Sequence, residues 1–142
     1  MNRMKYFIVG LLLIANVNLK GQEPKSEIIK LMDEAAVAWS KSDLDGYMAL
    51  YSPKATMMGN TGRIGLKAIR EVYEKHFFEA GKAKQPLAYT SYEVTMLGKE
   101  HALLTGVFIL KATEKLKEQR GIFTVIFIRE ATGWKLLHDH SG

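Results

Sequence analysis

The sequence predicts an α+β domain in which a curved antiparallel sheet wraps over three N-terminal helices, and three observations predict it. Apolar residues recur at helical spacing up to about residue 80, the period changes to two with a β-rich composition from residue 87 onward, and the helices precede the long strands. This order, with short connections, argues against alternating βαβ units. A chain of 142 residues, 47% hydrophobic and 25% charged, has the length and balance of one buried core.

The first residues read as an export signal. Arg3 and Lys5 precede an apolar run over 6–15, which relaxes into Asn16, Asn18, Lys20 and Gly21. That run falls well short of the ~20 apolar residues a membrane-spanning helix needs. The sequence therefore divides into a signal peptide, 1–21, cleaved near Gly21, and a single domain, 22–142, secreted or periplasmic and free of the membrane after cleavage. Removal of Arg3, Lys5 and Lys20 with no acid changes 20 basic against 15 acidic residues to 17 against 15. No Arg/Lys stripe interleaved with aromatics remains, which argues against a nucleic-acid partner. With no cysteine, the exported domain has no disulfide, thiolate nucleophile or thiolate metal site and relies on its core alone.

The first helix follows Ser26 as N-cap, with Ile28, Leu31, Met32, Ala35, Ala36 and Trp39 on one stripe. Ser42 or Asp43 caps a second helix carrying Leu44, Tyr47, Met48 and Tyr51, which Ser52-Pro53 ends. Asp43 and Asp45 are thereby explained as a cap and an acid at the positive end of the helix dipole. A short extended piece over 55–58 and a turn over 59–62 lead to Gly65, where a third helix opens. Its stripe is Ile69, Val72, Tyr73, His76, Phe77 and Ala80, and Gly81 stands as its C-cap.

Four strands follow, over 87–97, 101–110, 120–129 and 134–140, joined by turns and by a charged connection over 111–119. In the last hairpin Phe123, Val125 and Phe127 share a face with Trp134, Leu136, His138 and His140. The opposite parity carries Ile122, Ile126, Ile128 and Leu137 beside Lys135 and Asp139, an aliphatic patch on the face away from the helices. A sheet-to-sheet homodimer is the simplest cover for it.

The order helix, helix, short strand, helix, four-stranded meander carries a set of short motifs. They are Trp39 before Ser42-Asp43-Leu44-Asp45, Leu50-Tyr51, Ala55-Thr56, Gly62, Gly65 with Ile69, and Gly133-Trp134-Lys135-Leu136-Leu137-His138-Asp139-His140-Ser141. Together they resemble the nuclear transport factor 2-like superfamily, closest to its SnoaL-like and ketosteroid-isomerase-like exported domains of unknown function, over about residues 26–141. The resemblance implies a cone whose sheet and helices enclose a mainly apolar pocket, usually in a dimer. Tyr47, Tyr51, Tyr73 and His76, lying on otherwise apolar stripes, supply polar tips for a ligand's carbonyl or hydroxyl, or for backbone carbonyls if the interior is filled. The expected ligand-binding residues are Trp39, Tyr47, Tyr51, Met58, Tyr73, His76, Phe127, His138 and His140, and the expected ligand is a small apolar or aromatic molecule.

Family members that isomerise steroids use a carboxylate shortly after the Ala-Thr pair. Here that stretch reads Met57, Met58, Gly59 and Asn60, so an isomerase of that type has no base. A SnoaL-like cyclase, lyase or isomerase would instead use a cavity histidine, His140 or His76, with Glu93 or Asp139 as further acids. His138 and His140, two apart on one strand, form an acid/base pair, begin a metal site completed by His76, or tie the last strand down. The expectation is no metal and no cofactor. A dimerisation module with a filled core is the structural alternative.

Overall fold

The computed structural model describes residues 9–142, with side chains from Gln22 onward. The elements run α1 (Val9–Ser40), α2 (Leu44–Met48), β1 (Tyr51–Gly59), β2 (Gly62–Gly65), α3 (Leu66–Phe77), β3 (Phe78–Glu79), β4 (Lys82–Ala83), β5 (Leu87–Met96), β6 (His101–Leu110), β7 (Gln119–Glu130) and β8 (Gly133–Ser141). Helices then a curved sheet make the α+β architecture that the periodicity predicts. Residues 1–8 of the expected signal peptide lie outside the described residues.

Three boundaries differ from expectation. The first helix does not start at Ser26: it passes through Pro24, and the Ser26 hydroxyl donates to the Glu23 carbonyl at 3.0 Å. The second helix stops at Met48, so Tyr51 opens β1 instead of closing a helix. Asp43 caps it, accepting from the Gly46 amide at 2.8 Å. The third helix ends at Phe77, because Ala80 and Gly81, both at positive φ (48° and 75°), form the turn of the β3–β4 hairpin.

The six-stranded sheet has the order β2-β1-β8-β7-β6-β5. It is mixed, not purely antiparallel, since β1 pairs parallel to β8. The short extended piece expected over 55–58 thus becomes a full strand on the flank of β8. Ile28, Met32, Ala35, Ala36 and Trp39 of α1 pack on Ala102, Leu104, Val125, Phe127 and Leu136 of the sheet, all buried. The Ser40 hydroxyl bridges α1 to β5, donating to the Leu87 carbonyl at 3.1 Å and accepting the Leu87 amide at 3.0 Å. Buried Gln85 holds the exposed 111–118 connection: its amide donates to the Lys111 and Lys117 carbonyls at 3.0 and 2.9 Å.

One irregularity decides which residues face inward. On β8, Leu136 pairs with Phe127 but His138 pairs with Ile126, so Leu137 is an extra residue that reverses the alternation. Trp134, Leu136 and Asp139 are buried beneath the helices, whereas His138 pairs with outward Ile126 and His140 with outward Thr124. The even parity expected for the last strand, with both histidines inward and Asp139 outward, is therefore corrected. On neighbouring β1 the register jumps between Tyr51↔Leu136 and Thr56↔His138, so both strands are irregular side by side.

Candidate functional site

Five elements each send one polar side chain to the same place between the helices and the sheet. Tyr47 comes from α2, Tyr51 from the first position of β1, Tyr73 from the buried stripe of α3, Tyr89 from β5 and Asp139 from β8 beyond its bulge. The Tyr51 hydroxyl donates to Asp139 Oδ2 at 2.9 Å and lies 2.6 Å from the Tyr73 hydroxyl, which is itself 3.4 Å from the same carboxyl oxygen. Ser141 donates to Asp139 Oδ1 at 2.8 Å. The hydroxyls of Tyr47 and Tyr89 pair at 3.2 Å.

Hydrocarbon and ring edges wall the cluster. Trp39 meets Tyr47 and Tyr73 edge-on at 4.9 and 5.4 Å, and Phe123 meets Tyr89 at 5.2 Å. The Trp39 indole nitrogen donates to the Gln85 carbonyl at 3.1 Å, which fixes the ring that the tyrosines lean on.

Burial sets the protonation of the group. Asp139 is 5% exposed, and desolvation raises its pKa, opposed by the hydrogen bonds from Ser141, Tyr51 and Tyr73. Desolvation also lifts Tyr47, Tyr51, Tyr73 and Tyr89 well above the usual phenol value, helped for each of them by Asp139. The phenols therefore remain donors at any working pH, and the carboxyl is the one group of the five poised to change charge. Each hydroxyl both donates and accepts, so the Tyr47–Tyr89 pair keeps lone pairs beyond its mutual bond.

The expected site residues divide in two. Trp39, Tyr47, Tyr51 and Tyr73 come together at this cluster, while Phe127 is fully buried in the sheet's core. Met58 lies 43% exposed on the outer face. His76 is exposed on α3, with its backbone carbonyl accepting from Lys84 Nζ at 3.1 Å. His138 and His140 lie on the outer face of β8, the former bonded through Nδ1 to the Thr56 hydroxyl at 2.8 Å. The two expected catalytic histidines, His76 and His140, therefore do not enter the interior, and the three histidines do not come together. Among the described residues no group of three or more His, Cys, Asp or Glu is placed to hold a metal ion. Tyr89 and the inward Asp139 were not among the expected contacts. Tyr89 shares the parity of buried Leu87, a readable signal, whereas Asp139 was hidden behind the bulge.

Two open clefts lie on the helical side. One, of ≈ 420 Å³, runs along Ile29, Asp33 and Val37 of α1. The other, of ≈ 450 Å³, lies between Leu44, Asp45, Arg70, Glu74 and Phe78, where Arg70 ties α2 to α3 through Asp45 at 2.7 Å and also holds Glu74 at 2.9 Å. None of the expected site residues lines either cleft. Among the described residues no helix is long and apolar enough to cross a membrane.

The model of the SnoaL-like domain matches residues 28–141. The chain belongs to the SnoaL-like family. No curated protein matches it. Among solved structures it is similar to a nuclear transport factor 2-like protein of unknown function from Shewanella oneidensis, 26% identical with a TM-score of 0.73, covering 83% of this chain and 98% of that one. A nuclear transport factor 2-like superfamily protein from Salmonella enterica is 20% identical with a TM-score of 0.66, over 86% and 92% of the two chains. The association domain of the C. elegans calcium/calmodulin-dependent protein kinase II is 16% identical with a TM-score of 0.68, over 87% and 96%. These likenesses fix the nuclear transport factor 2-like fold. In this SnoaL-like chain the residues after Ala55-Thr56 are a buried Met57 and an outward Met58, so β1 brings no carboxylate to the interior and the acid there comes from β8.

Proposed function

We propose that this SnoaL-like domain is an exported homodimer that holds a small apolar or aromatic molecule between its helices and sheet, with Tyr47, Tyr51, Tyr73, Tyr89 and Asp139 as the polar contacts. The observation that carries the reading is the convergence of four phenols and one carboxyl at one point between apolar walls, apart from the other buried polar side chains, Ser52 and Gln85. Buried polar groups cost stability unless they are bonded, so a core serving packing alone gains nothing by assembling five of them at one point. Ligand sites are built this way, from apolar walls and a few convergent polar groups. A ligand carbonyl or hydroxyl would meet the Tyr47–Tyr89 pair, with its apolar body against Trp39 and Phe123.

Asp139 favours a second, enzymatic reading as a cyclase, lyase or isomerase. A carboxyl whose burial favours the protonated form can act as an acid, and Tyr51 and Tyr73 can donate to a developing oxyanion. The acid in this reading is Asp139 and not a cavity histidine.

The outer sheet face supports the homodimer. Leu103, Val107, Ile122, Ile126 and Ile128 form its apolar centre, with Ile122 71% exposed, and Thr105 and Thr124 lie among them. A second copy laid on this face is the simplest cover, and several structural neighbours are named as association or hub domains. Pro24 supports the export signal. In a chain beginning at Gln22 it falls in the first helical turn, where its missing N–H goes unused.

Native mass spectrometry of the exported protein, with titration by anilinonaphthalene sulfonate, tests the reading. The expected result is a dimer beginning near Gln22 that retains a small molecule or binds the dye, with Tyr47→Phe and Asp139→Asn both weakening it. A folded dimer that retains nothing and binds no dye leaves only a structural dimerisation module, and Ile122→Lys is expected to yield a folded monomer.

A further inference from the structure

Resting on the sheet-to-sheet pairing proposed above, we infer that the contact between the two copies is acid-sensitive, and that protonation of His138 and His140 separates them. The cause is where the Leu137 bulge puts the two imidazoles. His138 is the cross-strand partner of Ile126, and His140 that of Thr124, both on the outer face. Cross-strand partners hold their Cβ atoms about 4.5–5.5 Å apart, so a copy that covers Ile126 also covers the His138 ring.

The neutral ring suits such a cover. His138 Nδ1 lies 2.8 Å from the Thr56 hydroxyl, which donates to it when the ring proton sits on Nε2. A second proton turns Nδ1 into a donor and places a full charge in a region that the second copy would dry. Burial disfavours the charged form of an imidazole, and the linkage runs both ways: gaining the proton disfavours burial.

The other charges on the face do not offset it. Register places Glu93 of β5 opposite Thr105, Arg120 of β7 opposite Ile109, Lys135 of β8 and His101 of β6 both opposite Ile128, and Arg63 of β2 opposite Met58. Glu93 and Glu130 of β7, the latter opposite Gly133 and accepting from the Ser52 hydroxyl, are the acids on this face, against three permanent cations. Asp139, beside His138 in sequence, points into the interior and is bonded there to Tyr51 and Ser141. Acidification therefore adds like charge to a face already positive, in both copies at once. Acid does not act through Asp139, whose burial favours its protonated form.

Sedimentation velocity of the full chain near pH 8 and near pH 5.5, which span the range where imidazole changes charge, tests the inference, with far-ultraviolet dichroism at each pH. The expected result is a dimer whose dissociation constant rises at least about tenfold on acidification with the fold retained. The double variant His138→Asn/His140→Gln loses most of that pH dependence, the remainder belonging to His101 on the same face, while His76→Gln, on exposed α3, behaves as the wild type. If the double variant fails to fold, His140→Gln alone, at an exposed position, shows a reduced dependence. A dimer equally tight at both pH values, or a double variant that separates in acid as readily as the wild type, overturns the inference and leaves the pairing standing. A chain monomeric at both pH values overturns the pairing itself and this inference with it.

Discussion

Tyr51 donates to Asp139 at 2.9 Å across 88 residues of sequence, joining the first residue of β1 to the far end of β8 beside it. The bond spans the stretch where both strands lose regular pairing, so it holds together the part of the sheet that backbone bonds hold least well. Removing it is expected to be costly, because the carboxyl it serves is buried. Tyr51→Phe should destabilise the fold by about 1–3 kcal/mol, the range for leaving a buried acceptor without its donor. Tyr73→Phe, whose hydroxyl is 3.4 Å away, should cost less. Urea unfolding of both, with a double-mutant cycle against Asp139→Asn, measures the difference, and a Tyr51→Phe effect that does not shrink in the Asp139→Asn background would show that the bond is not its source.

The raised pKa of Asp139 makes stability depend on pH in a direction unusual for a carboxylate. Unfolded, the group ionises at about 3.9, whereas the folded chain keeps the proton to a higher pH. Its contribution to stability is thus fully present below about pH 4 and is lost as pH rises through the folded value. The wild type is expected to show a urea midpoint that declines with rising pH over that interval. Asp139→Asn, which cannot ionise, should flatten this decline and unfold later than the wild type at neutral pH. An Asp139→Asn midpoint with the same dependence on pH as the wild type would sink the assignment.

The main periodicities were legible because each is a local pattern repeated several times. The α1 stripe ending at Trp39, the Ile69–Tyr73 face of α3 and the alternation through Phe123, Val125 and Phe127 all place their residues in the core. What could not be read depends on single events. Tyr51 looks helical from its spacing to Leu44 and Tyr47, but Pro53 and the parallel pairing with β8 draw it into a strand. His76 has the spacing of a buried residue, yet α3 ends one residue later and leaves its side chain exposed. One extra residue at Leu137 moved both histidines out and Asp139 in, so the candidate acid changed identity while the tyrosines around it stayed where the stripes place them.

Gly121 shows how closely the sheet's inner face is packed near the chain end. A methyl group there would strike the Phe108 ring, and at 2.8 Å the backbone carbonyl of Gly142, which accepts the Ile122 amide at 2.9 Å. Rings can shift, but the carbonyl is tied in a backbone bond. Gly121→Ala is therefore expected to cost about 1–3 kcal/mol by overpacking and to loosen the last residues of β8. Thermal unfolding together with faster amide exchange at Ile122 and Gly142 checks it, and an unchanged melting temperature would mean the strand end moves freely.

Deleting Leu137 tests the rule that governs the site. Without the extra residue β8 would pair with β7 in unbroken alternation, and every side chain after Leu136 would change face. The two imidazoles would then lie under the helices where Asp139 now sits, and the carboxyl would join the outer patch, leaving Tyr51 and Tyr73 without their acceptor. Alternatively the strand could keep Asp139 inward by sliding its earlier half, which would turn Trp134 and Leu136, each 2% exposed, out to water. Exposing those two side chains forfeits about 1.5–3 kcal/mol for each, comparable to a large share of a small domain's total stability. Neither outcome leaves a stable fold, so the deletion is expected to abolish cooperative unfolding, whereas Leu137→Ala, which keeps the residue count, should retain both the fold and the Tyr51–Asp139 bond. Calorimetry of the two variants separates a requirement for one more residue from a requirement for a leucine.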